Sequence, residues 1–244
     1  MKYQLVQLQD IIEFPPKVAL KRGGNYPFIE MGDINSDSRY VRNQTQKQYT
    51  SSGSSKFTDK DILFARITPC LENGKIAQAI LPQGKMGFGS TEFFVFRAKP
   101  DKMDQTFLYY LSKSDLLWKS AVNSMVGASG RQRADATFLK RLKFYIPAIG
   151  DQKKIAAILS AYDDLIENNN RRIAILEKMA EEIYKEWFVR MRFPGYEKAE
   201  FEKGIPKEWK IKKIGHICFV GRGSSPRPIN DKAYFENGSI PWIK

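Results

Sequence analysis

Residues 151–193, DQKKIAAILSAYDDLIENNNRRIAILEKMAEEIYKEWFVRMRF, decide the reading of this chain. From Ile155 the apolar positions run Ile155, Leu159, Tyr162, Ile166, Asn169, Ile173, Leu176, Ala180, Ile183 and Trp187, alternately four and three residues apart. That is a heptad seam kept over more than four repeats, with a period of 3.5 rather than 3.6. No Pro or Gly lies between Asp151 and Phe193, whereas Pro147, Gly150, Pro194 and Gly195 punctuate the ends. The spacing predicts a helix over 152–190 capped by Asp151, roughly 58 Å long at about 1.5 Å per residue. Such a seam asks for a partner helix, in this chain or another, rather than for its own globular domain. Asn169 is the polar member of the seam. A buried Asn there fixes register at a cost in stability; its alternative is a solvated interruption.

Working outward, residues before the helix mix strand and helix signals. FPPK (14–17), RGGN (22–25) and SSGSS (51–55) read as turns and loops. Residues 61–66 and 91–97 are rich in β-branched and aromatic side chains and read as strands, and 142–146 as a last short strand before Pro147. Residues 106–122 have helical spacing. Without regular βα alternation the class is α+β: a mixed globular domain followed by one long coiled-coil helix. Beyond the helix the start of the chain recurs. Residues 3–8 align with 209–214, so Leu5, Leu8 and Ile11 match Ile211, Ile214 and Ile217, and Pro27-Phe-Ile-Glu30 resembles Pro241-Trp-Ile-Lys244. The chain thus reads as opening a second copy of its first domain that is too short to close a core, and residues 205–244 are expected to need another chain or to be poorly ordered. The bland reading is a small extension packed on the first domain.

The 244 residues carry a formal charge of +13 and are 42% hydrophobic, enough to bury a real core. The excess charge is unevenly placed: residues 1–150 carry 22 Lys+Arg against 13 Asp+Glu, 151–193 carry 8 against 8, and 194–244 carry 10 against 6. Basic flanks around a neutral helix suit phosphate backbones, although many basic proteins are merely soluble. Cys70 and Cys218 are too few and too far apart for a disulfide framework or zinc site and suit a reducing cytoplasm. No apolar run reaches the roughly 18 residues of a membrane span, and the first residues lack a signal-peptide core, so a soluble cytoplasmic protein is expected. Catalysis is not expected. There is no phosphate-binding glycine loop and no metal-ligand spacing, His216 is the lone histidine, Gly221-x-Gly223 lacks strand–helix context, and the pairs Asp163-Asp164 and Glu181-Glu182 read as the solvated face of the long helix.

Several runs together resemble the specificity subunit of type I restriction–modification enzymes. They are residues 61–77 (DILFARITPCLENGKIA), 87–94 (GFGSTEFF), 130–133 (GRQR), Ile146-Pro147 leading to 151–158 (DQKKIAAI), 186–196 (EWFVRMRFPGY) and 221–226 (GRGSSP). The resemblance covers nearly the whole chain. It implies two target recognition domains, each reading half of a bipartite site on double-stranded DNA. Long antiparallel helices between them set the spacing and dock methyltransferase (modification) subunits and, through these, restriction subunits. The family's specificity subunit needs no cofactor and performs no catalysis, which its partners carry. Mapped here, residues 1–149 are the first recognition domain, 150–193 the spacer helix, 194–204 a linker and 205–244 the opening of an incomplete second domain. The remainder of the family pattern, including the second spacer helix, is missing. A homodimer through residues 155–187 is therefore expected to restore two recognition domains.

The candidate DNA-reading residues are Arg66, Asn73, Lys75, Ser90, Thr91, Ser129, Arg131, Gln132 and Arg133. Arg, Lys, Asn, Gln, Ser and Thr carry the donors and acceptors that distinguish base edges. Gly127 and Gly130 let the backbone of the 129–133 loop approach closely, and backbone contact is favoured for Arg131 and Arg133. Their bland alternatives are a basic surface turn, an Asn-Gly hairpin turn at 73–74, an Arg66–Glu72 ion pair, and a strand start at Ser90 and Thr91. The polar stretch 35–55, with Asn43, Gln44, Gln46, Gln48 and four serines at 51–55, is a further candidate for base readout or a flexible loop. The rival function is a non-reading decoy that only binds methyltransferase subunits.

Overall fold

In the computed structural model, residues 2–42, 45–50, 53–82, 85–128 and 130–221 are described. The chain falls into two units, Met1–Ala174 and Ile175–Lys244. In chain order the first unit contains β1 (Tyr3–Gln7), α1 (Leu8–Ile11), β2 (Ile12–Glu13), β3 (Asn25–Ile29), β4 (Tyr40–Val41), β5 (Gln46–Gln48), β6 (Ser55–Thr58), β7 (Ile62–Ala65) and β8 (Ile76–Ala79). Then come β9 (Met86–Gly89), β10 (Phe93–Ala98), α2 (Gln105–Lys113), α3 (Trp118–Asn123), α4 (Ala136–Arg141), β11 (Lys143–Pro147) and the start of α5 (Ile149–Tyr184), whose residues from Ile175 on belong to the second unit.

Two larger sheets build the domain, five strands ordered β2-β10-β7-β8-β4 and four ordered β5-β3-β9-β6, beside a two-stranded ribbon of β1 and β11. The run of consecutive apolar residues in β7 and β10 is explained by burial on both faces. Side chains alternate along a strand. Ile62, Phe64, Phe94 and Phe96 accordingly join Leu8, Leu108, Leu111 and Leu139 in one core, under α1, α2 and α4. Leu63, Phe93 and Val95 point the other way and meet Ile29 and Phe57 of the second sheet, with Ala77 and Ala79 of β8. The Gly-Phe-Gly of β9 has a steric reason. A Cβ on Gly89 would stand 2.2 Å from the Ile29 carbonyl oxygen of the parallel neighbour β3. Arg97 reaches across to Asp61, donating from Nε at 2.7 Å and Nη2 at 2.6 Å, and Asp61 also accepts the Thr58 N–H. This fully buried carboxylate ties the β6–β7 turn to β10 and raises the Arg97 pKa.

The helix expected over 106–122 is two helices. α2 ends at Ser114, whose hydroxyl turns back to the Leu111 carbonyl, and α3 restarts at Trp118, whose indole N–H is satisfied by the Leu71 carbonyl at 2.7 Å. α4, capped by Asp135 accepting from Thr137 and Phe138, went unread in the sequence. Part of the polar stretch 35–55 is strand, as β4, β5 and the start of β6. Asp151 is not the N-cap of α5: the helix begins two residues earlier, and Asp151 stands in its first turn, where a carboxylate is still favoured by the helix dipole.

In the second unit, the helix runs to Tyr184 and continues as a π-turn over Lys185–Val189. Phe201–Glu202 and Ile205–Pro206 pair as β12 and β13 around Lys203 and Gly204, both at positive φ. Phe193 stacks on Trp209 with ring centroids 6.0 Å apart, flanked by Phe188 and Phe201. Ile214 opens a short helical turn as Leu8 does, but Ile214 and Ile217 are exposed where Leu8 and Ile11 are buried, while Ile211 and its counterpart Leu5 are both exposed. Residues 222–244, including the expected match Pro241–Lys244 and Arg222–Pro226 of the glycine run, lie outside the described residues.

Candidate nucleic-acid interface

The glycine-terminated β9 and the strand β10 present Ser90, Thr91 and Glu92 between them. Glu92 accepts from Arg133 Nη2 at 2.6 Å and Nε at 2.9 Å, and from Arg66 Nε at 3.1 Å. The Arg133 hydrogen bonds, with those of Arg66, hold the Glu92 carboxyl below its usual range despite its partial burial. Arg66 thus pairs with Glu92, and not with Glu72 as its bland alternative had it. Ser90 Oγ accepts the Glu92 N–H, closing the turn. Beside this group lies a cavity of about 750 Å³, floored by Phe14, Phe93 and Phe94 and lined by Arg66, Thr91, Lys17, Lys56 and Lys140. None of the three lysines has an ion partner among the described residues. Lys140 stands 5.4 Å from the Phe14 ring centroid and Arg66 5.5 Å from that of Phe94, so cations sit over the aromatic floor.

The 126–133 segment folds back on itself, with Val126 and Arg133 exchanging both backbone hydrogen bonds and Gly127 and Gly130 at positive φ. Gln132 is anchored to Thr68 twice: its carbonyl accepts the Thr68 N–H, and its own N–H donates to the Thr68 hydroxyl. Arg131 donates its backbone N–H to the Ala128 carbonyl, while its exposed side chain has no hydrogen-bond or ion partner among the described residues. Ser129 lies outside them. Arg66, Ser90, Thr91 and Arg133 are therefore brought together around Glu92, with Arg131 and Gln132 on the adjoining turn. Asn73 and Lys75 share no hydrogen bond or cavity with that group. Lys75 Nζ donates to the Met31 carbonyl at 2.9 Å, and Asn73 lines a separate pocket with Lys113 and Trp118. Sequence reasoning missed Lys17, Lys56 and Lys140, which are far from one another in sequence and are gathered only by the fold.

The helix has two distinct faces. Gln152 and Ala156 are buried against the domain, and Asp163 and Glu167 are half-buried. The seam is turned elsewhere: Leu159 is 38% exposed, Tyr162 65%, Ile166 51% and Ile173 52%, Asn169 is exposed, and only Ile155 is half-buried. Leu176, Ala180, Ile183 and Trp187 in the second unit are also exposed or only partly covered. Asp163 and Glu167 each follow a seam residue by one position, roughly 100° round the helix at 3.6 residues per turn. Of the pair expected on the solvated face, Asp163 is half-buried and accepts from Tyr110, while Asp164 is exposed and also accepts from Tyr40 of the domain. Among the described residues no group of His, Cys, Asp and Glu is arranged to hold a metal, both cysteines are free, and no helix is long and apolar enough to cross a membrane.

With this geometry, the sequence profile of the "Type I restriction modification DNA specificity domain" matches residues 1–178. The chain belongs to that family. Among curated relatives it is 31% identical over 233 residues to the type I restriction enzyme MjaIX specificity subunit of Methanocaldococcus jannaschii, covering 91% of this chain and 51% of the relative. It is 32% identical over 103 residues to the type I restriction enzyme EcoAI specificity subunit of Escherichia coli, covering 42% of this chain and 18% of that one. The chain spans about half the length of the first curated relatives it matches. Its fold is that of the HsdS subunit from Thermoanaerobacter tengcongensis, with a TM-score of 0.53 and 19% identity over 83% of this chain and 52% of that one. The type-I restriction-modification system S subunit from M. genitalium gives a TM-score of 0.55 and 19% identity over 77% and 46%. The α+β class and the long helix expected from the sequence are both present.

Proposed function

We propose that this chain reads DNA sequence without catalysing a reaction, as a target recognition domain carried on a spacer helix of a type I restriction–modification specificity subunit. The observation that carries this reading is the family match over a domain whose surface gathers Lys17, Lys56, Lys140, Arg66 and Arg133 beside an exposed glycine-hinged turn. Unpaired lysines release counterions from phosphates, and Arg131 and Gln132 are placed to approach the duplex at the turn. Residues 1–149 serve as the recognition domain, 150–193 as the spacer, 194–204 as a linker and 205–244 as the opening of a second domain.

The exposed seam supports a second helix as its occupant. A second copy packed antiparallel along residues 155–187 presents two recognition domains to a bipartite site, and methyltransferase subunits, with restriction subunits behind them, dock on that scaffold. Selection from random duplexes in the presence of methyltransferase subunits tests the reading. A recovered base motif supports it; salt-dependent binding without any preferred sequence overturns it. Light scattering tests the pairing, and a monomeric mass at micromolar concentration overturns it.

A further inference from the structure

We propose that Tyr40, Arg42 and Tyr110 clamp Asp163, Asp164 and Glu167 of α5 and so fix the angle at which the recognition domain stands on the helix, setting the separation at which a second half-site is accepted. This rests on the reading of the chain as a recognition domain on a spacer helix. Tyr110 donates to Asp163 at 2.5 Å, Tyr40 donates to Asp164 at 3.3 Å, and both ends of the Arg42 guanidinium engage Glu167. The six residues are joined across 53 to 125 positions of sequence.

Behind the clamp is Arg39, only 7% exposed, whose guanidinium donates to Gln78, Thr106 and Tyr110, all neutral acceptors. It stands over the rings of Tyr40 and Tyr110 at 4.7 and 5.5 Å. Its bond to the Tyr110 oxygen, at 3.4 Å, makes that phenol a stronger donor toward Asp163 through a polarised chain. Burial and the Asp163 carboxylate both push the Tyr110 pKa up, so the donor keeps its proton. The loop carrying the clamp is itself held, because Lys113 Nζ donates to the Ser36 carbonyl at 2.8 Å and β4 pairs with β8.

The position of the clamp explains its use. Gln152 and Ala156 anchor the start of the helix, and a single anchor leaves the helix free to swing. A second anchor 11 to 15 residues from Gln152 lies about 17–22 Å along the helix. On a lever of about 20 Å, a swing of about 10° moves the contact by about 3.5 Å, one step of a DNA strand. Directional bonds to carboxylates resist such a swing where an apolar contact would slide. Because Arg42 and Glu167 are half exposed, the clamp adds little to stability, which suits a role in orientation.

The test uses the full chain with methyltransferase subunits and a duplex library in which the distance between half-sites varies. The wild type is expected to return one base motif at one separation. Y40F/R42Q/Y110F is expected to return the same bases while discrimination between adjacent separations falls about tenfold. R42E is expected to do the same, and R42E/E167R to restore the preference. A variant that keeps the wild-type separation, or a charge swap that restores nothing, overturns the proposal. Loss of the base motif together with the separation, in a chain whose near-ultraviolet circular dichroism is native, also overturns it. If the wild type returns no motif, the reader assignment fails, and the clamp is judged on angle alone. Spin labels at positions 119 and 168 in a C70A/C218A background then report the distance distribution. An unbroadened distribution in the triple variant overturns the clamp, and one at least about twice as wide supports it.

Discussion

Glu92 and Arg133, 41 residues apart in sequence, meet through a two-pronged ion pair that also draws in Arg66, whose Nε donates to the same Glu92 Oε2 as Arg133 Nε. One carboxylate thereby sets the orientation of two guanidiniums on the candidate DNA face. Its folded pKa is depressed below the ordinary value near 4.5, so its stabilising contribution is present above that value and lost as pH falls through the depressed one. The melting temperature of the wild type is expected to fall on acidification from pH 5 to pH 3 more steeply than that of E92Q. Equal slopes in a calorimetric pH series remove Glu92 from this role.

Asp61 is buried beneath Arg97 and Thr58, and D61A takes the two-pronged carboxylate partner from a partly buried guanidinium, leaving it the Thr58 hydroxyl and Glu13. A loss of about 3 kcal/mol is expected, read as a lower urea midpoint at unchanged slope.

Gly89 admits no side chain against the Ile29 carbonyl. G89A is expected to lose about 3 kcal/mol or fail to fold, whereas G32A, with nothing within 4 Å of the added carbon, stays within about 0.5 kcal/mol. Comparable midpoints for the two variants contradict the steric account.

The two faces of α5 separate by mutation. I166D on the exposed seam leaves unfolding within about 0.5 kcal/mol and abolishes helix-mediated association in sedimentation. A156D on the domain-facing side puts a charge where the side chain is 3% exposed, and destabilises by about 3 kcal/mol. If I166D associates like the wild type, the seam is not the packing face.

The Arg131 side chain, exposed and unpartnered among the described residues, is expected to contact phosphate. R131A then weakens binding to all duplexes alike and lowers the slope of log affinity against log salt by about 0.9. A change of preferred base at one position instead assigns it to base readout.

The helix and the two central strands were legible because each repeats a local rule: the heptad of Ile155 to Trp187, and the apolar runs 62–65 and 93–96. The break at Ser114 was not, since apolar residues continue at helical spacing on both sides and only the hydroxyl's bond to Leu111 reveals the turn. Arg66, Ser90, Thr91 and Arg133 were legible as a set, but their common partner Glu92 was not, because pairing across 26 and 41 residues depends on sheet register. Asp163 and Asp164 look like any solvated acidic pair. Nothing local marks that Tyr40 and Tyr110 meet them.

β1 pairs with β11 so that Tyr3 lies opposite Pro147, and the Ala148 N–H donates to the Lys2 carbonyl at 3.2 Å. The backbone therefore enters the globular domain and leaves it at neighbouring points, one turn before the buried Gln152. A domain whose two ends meet in this way is a cassette. Its interior loops can be replaced wholesale by recombination, with the helix and its start left intact, provided that the β1–β11 ribbon and the residues facing Gln152, Asp163 and Glu167 are kept.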